Sequence, residues 1–106
     1  MKLKHGVRLA GLTPQMALAA IVVREVYRDL DPGASCTITS ANDGKHSEKS
    51  LHYSGKALDF RTHDFNGDKQ QLLYELQQAL GAEFDVLLEG EGTPNEHVHC
   101  EHDVKE

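Results

Sequence analysis

Hydrophobic and polar positions along the chain alternate between two periods. Met16, Ala20, Val23, Tyr27 and Leu30 recur at three- and four-residue steps, which predicts one apolar face of a helix. Thr13 is placed to cap that helix, Pro14 suits its first position, and Asp31-Pro32-Gly33 ends it. A second helical period follows Asp68, with Leu72, Leu73, Leu76, Ala79 and Leu80 along one side and Gly81 at its stop. Between and after these, four short runs have the two-residue period of strands: Cys36 to Ser40, Ala57 to Arg61, Phe84 to Glu89 and His97 to Glu101. Polar loops separate them, over Ala41 to Lys49 and Glu89 to Asn95. The expected fold is a small α+β domain, an antiparallel sheet with helices packed on one face, and the last two strands form a hairpin.

Length narrows this picture. At 106 residues there is room for one domain, 1–106, and 39% apolar residues can fill one modest core. Such a domain is marginal by surface-to-volume scaling, and a bound metal would add to its stability. The formal charge of −6, without a Lys/Arg cluster, argues against a nucleic-acid partner. Cys36 and Cys100 fit no Cys-x-x-Cys motif and read as small buried residues, or as a pair if their strands are neighbours. The start Met1-Lys2-Leu3-Lys4 and the run Ala17-Leu18-Ala19 imitate an export signal, but Thr13, Pro14 and Gln15 interrupt the apolar stretch. A helix accounts for the segment better. No signal peptide and no membrane association are expected, and oligomeric state is not specified.

The candidate chemistry is concentrated in two segments. Ser50 to Asp59 places an imidazole, His52, and a carboxylate seven positions apart around Gly55. Glu96-His97-Val98-His99 adds two imidazoles and a carboxylate. Nitrogen and oxygen donors with a spare carboxylate are the components of a catalytic zinc site. His97 and His99 share a strand face, whereas Glu96 and His99, three apart, reach one side only if the chain bends at Pro94-Asn95. Asp59 lies in an apolar run and needs a partner, either a metal or the cations Arg61 or Lys56.

Ser50, His52, Gly55, Ala57 and Asp59, followed by Glu96 and His99, match the fixed positions of Ser-x-His-x-x-Gly-x-Ala-x-Asp and Glu-x-x-His. In this the chain resembles the zinc D-alanyl-D-alanine carboxypeptidases and L-alanyl-D-glutamate endopeptidases. Asp43-Gly44, His46-Ser47-Glu48, Ser50 to Tyr53, Phe84-Asp85 and His97-Val98-His99-Cys100 are similar, more closely still, to the amino-terminal signalling domain of hedgehog proteins. The resemblance covers roughly Thr37 to Cys100, and its combination of motifs is more specific than any one of them.

The resemblance implies a hedgehog/DD-peptidase-like fold and one zinc ion held by His52, Asp59 and His99. Glu96 would act as base, or Glu89 if the hedgehog spacing applies; His97 and His46 would assist. Ser50, Lys45 and Arg61 would contact substrate. Only Asp43 of the hedgehog calcium carboxylates is in register, so no calcium site is expected. The expected function is a zinc metallopeptidase acting on bacterial cell-wall (peptidoglycan) peptides, made as a cytoplasmic or phage-derived product that reaches the wall on release. The alternative is a catalytically silent hedgehog-like zinc module that acts by binding a protein or ligand.

Overall fold

A computed structural model describes residues 1–41 and 54–104. In chain order the elements are β1 (Lys2–Leu3), α1 (Pro14–Leu30), β2 (Thr37–Ser40), β3 (Ala57–Arg61), α2 (Lys69–Leu80), β4 (Phe84–Glu89) and β5 (His97–His102). They form a five-stranded sheet in the order β1-β2-β3-β5-β4. Both helices are where the apolar period placed them. Thr13 Oγ1 accepts from the Met16 N–H, and Asp68 Oδ1 accepts from Gln70 and Gln71, so each helix start has a side-chain oxygen on its open amides.

The sheet differs from expectation at one edge. β1 runs parallel to β2, pairing Lys2 with Thr37 and Leu3 with Ile38, so the sheet is mixed. Two residues are too few for an alternating pattern to register, and β1 lies in the basic start Met1 to Lys4, where no strand was expected. All other pairings are antiparallel.

Alternation along the strands divides the sheet into two chemical faces. Leu58, Phe60, Val98 and Cys100 are fully buried beneath the helices, with Met16, Val23, Tyr27, Leu72 and Leu76. Tyr27 joins the layers: its ring meets Phe65 edge-on at 5.5 Å and its hydroxyl donates to the Arg61 carbonyl at 2.9 Å. Cys36 and Cys100 are free and buried, and burial pushes both thiols up to about 12, which leaves them unreactive core residues. The opposite face carries Asp59, Arg61, His97, His99 and Glu101, with Asp85, Leu87 and Glu89 beside them on β4.

Gly55 ties the segment before α1 to the approach of β3. Its φ is +74°, and a Cβ there would lie 2.0 Å from the Gly11 carbonyl oxygen. Its own carbonyl accepts from the Thr13 N–H at 3.0 Å, so the cap of α1 and the glycine of the first motif are one joint.

Candidate metal centre on the open sheet face

The register of β3 against β5 sets Asp59 opposite His99 and Arg61 opposite His97. β4 extends these rows, bringing Glu89 beside His97 and Leu87 beside His99. Strand pairing therefore assembles the group from residues up to forty positions apart. Asp59 and His99 are both buried, at 8% and 9% exposure, which makes their partners matter energetically.

Both nitrogens of His99 meet carboxylates. Nδ1 is 2.9 Å from Asp59 Oδ1, and Nε2 is 2.7 Å from Glu101 Oε1. Glu89 Oε1 lies 3.8 Å from the same Nδ1. A neutral imidazole can donate through only one nitrogen, so this arrangement favours the doubly protonated ring. The hydrogen bond to Asp59 raises the His99 pKa most; burial works against it, and the bond to Glu101 and the charges of Asp59 and Glu89 add to the rise, which reaches about 9. His97 is held differently. Its Nδ1 donates to the Asn95 carbonyl at 2.7 Å, and its Nε2 lies 3.0 Å from Glu89 and 3.8 Å from Asp59 Oδ2.

Three carboxylates thus surround two imidazoles, and donor atoms of Asp59, Glu89 and His99 lie within 4.8 Å of one another. The carboxylates favour a positive charge at this poorly solvated place, in keeping with the raised pKa of His99. Nitrogen and carboxylate donors of this kind fit a divalent cation such as zinc.

Of the residues singled out from sequence, Asp59, His97 and His99 are brought together. Arg61 shares their face, and among the described residues it makes no ion pair with Asp59. His52, His46, Ser50 and Lys45 lie outside the described residues.

Glu96 is not brought to the group. Its carboxylate is bound by the Lys69 ammonium, by Thr62 Oγ1 at 2.5 Å and by the Gly92 N–H at 3.0 Å. Those donors, Lys69 foremost, hold its pKa down to about 2, where a carboxylate is a weak proton acceptor. Glu89, the other spacing considered, does reach the site. Glu101 was missed, although its position two after His99 on one strand was the available signal.

A family model, the hedgehog amino-terminal signalling domain, matches residues 14–101, and the chain belongs to that family. Among individual proteins, it is similar to Indian hedgehog B protein of Danio rerio, 43% identical over 75 residues, covering 68% of this chain and 17% of that protein. It is also 40% identical to Indian hedgehog protein of Gallus gallus and 39% identical to Sonic hedgehog protein of Xenopus laevis, each over 72 residues. Those alignments cover 65% of this chain and 16% and 15% of the two relatives. The chain therefore spans about a sixth of the length of these relatives.

Membership in this family overturns the peptidase expectation. The matches are to hedgehog signalling proteins, so zinc peptidase activity, a peptidoglycan substrate and a cell-wall role are withdrawn. The cytoplasmic or phage-derived placement falls with them. The motifs that suggested hydrolysis do not by themselves supply a base: Glu96 is committed to Lys69. No described helix is long and apolar enough to cross a membrane.

Proposed function

We propose that this chain is a non-enzymatic signalling-domain module that holds one zinc ion and presents the surrounding sheet face to a protein partner. His52, Asp59 and His99 are the proposed ligands. Glu101 holds His99 by its hydrogen bond to Nε2, and Glu89 holds His97 beside them. When bound, the ion would supply a fixed positive charge that organises the face. The observation that supports this reading most is His99, which has a carboxylate against each ring nitrogen. Arg61, with Lys45, Ser50 and His46, belongs in this reading to the surface that meets the partner.

The test has two parts. Purified protein dialysed against buffered zinc is expected to retain about one ion per chain, and Asp59→Asn and His99→Ala to retain much less. The same proteins are then added to cells carrying a hedgehog-responsive reporter, alone and in competition with an active hedgehog domain. Activation or competition that weakens in the two variants supports the proposal. Zinc retention without either response would remove the signalling role, and a response unchanged in both variants would remove the metal from it.

A further inference from the structure

The outer edge of β4 leaves a short, well-defined length of backbone open. In β5, the His102 N–H bonds the Lys56 carbonyl and the Asp103 N–H bonds the Glu83 carbonyl. Alternate residues of β5 therefore turn to β3 and to β4. With the observed register, Asp85, Leu87 and Glu89 exchange bonds with Glu101, His99 and His97. Phe84, Val86 and Leu88 consequently turn outward. Phe84 is already satisfied, since its N–H bonds the Gly81 carbonyl and its carbonyl accepts from Gln77 Nε2 at 2.6 Å. Among the described residues, no strand pairs with β4 on its outer side, where Val86 and Leu88 present two N–H and two C=O groups.

The chain around this edge is rich in acids, although Glu96 is paired with Lys69. From Gln70 to Val104 there are eight Asp and Glu residues and no Lys or Arg. Asp85 and Glu89 flank Leu87 on the site face of β4, and Leu87 is 50% exposed. A second copy of this chain pairing antiparallel through the same edge would bring these carboxylates together, which is unfavourable. An extended chain with cations on the side of Asp85 and Glu89, and an apolar residue opposite Leu87, would meet the open backbone and suit the acidic surroundings.

We propose that the β4 edge is a strand-addition site for an extended peptide segment with the alternating pattern basic, apolar, basic, which pairs with Val86 and Leu88. This site lies beside the candidate metal centre: the backbone bonds it offers are at Val86 and Leu88, which are not metal donors, whereas Glu89 borders both.

The probe is a seven-residue peptide in which threonine alternates with lysine, valine and lysine. One control replaces its lysines with glutamate, and another N-methylates its alternate peptide nitrogens so that it cannot pair as a strand. Binding is measured by fluorescence anisotropy, and amide exchange of the protein by NMR, with and without zinc. The expected result is that the Val86 and Leu88 amides become at least tenfold slower to exchange, and that neither control peptide does this. Leu87→Lys, an exposed change that leaves the core intact, is expected to weaken binding at least tenfold. Equal binding by the N-methylated peptide, protection elsewhere in the protein, or no binding would overturn the proposal. Protection of the same two amides by self-association without peptide would assign the edge to a second copy and overturn it too.

Discussion

Asp59 and His99 face each other across β3 and β5 with 2.9 Å between Oδ1 and Nδ1, although forty positions separate them in the chain. Because His99 is buried, removing Asp59 takes away the hydrogen bond that raises its pKa most. Asp59→Asn is expected to bind zinc at least tenfold more weakly than wild type in chelator competition. It is also expected to bring the His99 pKa down toward its ordinary value, which NMR titration of the ring would read. An unchanged His99 titration would show that Asp59 is not the principal cause of its elevation.

The pH dependence of the metal-free protein follows from the same pair. His99 is raised from 6.5 to about 9 in the folded state, so the folded chain binds its proton more tightly than the unfolded one. That contribution to stability is complete below about pH 6.5 and is lost as pH rises through about 9. Thermal melts of the metal-free protein are expected to show a falling Tm between pH 7 and 9, with His99→Gln flatter over that interval. Zinc competes for the same ring, so its affinity should rise over the range in which the proton leaves.

Glu96 behaves in the opposite sense. Its pKa is held down to about 2, so its contribution is present above about pH 4.5 and is lost as pH falls toward 2. Glu96→Gln removes the charge that Lys69, Thr62 and Gly92 share and is expected to cost about 1–3 kcal/mol in denaturant unfolding. Zinc affinity should be unchanged. A tenfold loss of zinc in this variant would place Glu96 at the metal after all.

Gly55→Ala tests the joint between α1 and the first motif. The added methyl would meet the Gly11 carbonyl oxygen at 2.0 Å on a backbone with φ of +74°. A loss of at least about 2 kcal/mol in chemical unfolding is expected, from the clash and the left-handed conformation together. Gly81→Ala has open space for its methyl, though its φ is also positive, so it isolates the conformational part and is expected to cost less.

Much of the fold was legible because it rests on local periodicity. Met16, Val23 and Tyr27 are buried as their spacing requires, and the β4–β5 hairpin joins the two strands nearest in sequence. β1 was not legible, since two residues carry no period. The site was legible in part for a similar reason. His97 and His99 share a face by strand alternation, and Asp59 announced itself as a carboxylate in an apolar run. The placement of Glu96 depends on Lys69, which is twenty-seven positions away on another element, and nothing in the local sequence points to that pairing. Peptidase chemistry was inferred from donor motifs alone, and those motifs pointed to a face of the sheet but not to what the face is for.

The alternation of β3, β4 and β5 has a consequence for how this domain tolerates change. The same hydrogen-bond register that sends Leu58, Phe60, Val98 and Cys100 under the helices sends Asp59, His97, His99 and Glu101 to the other side. Deleting one residue inside β5 would reverse the β5 side chains on one side of the gap, driving an imidazole toward the core or an apolar group onto the open face. Deletions in the turn from Gly90 to Asn95 would leave that parity untouched. A deletion scan should therefore find stability and metal binding lost at the same strand positions, as one inherited trait.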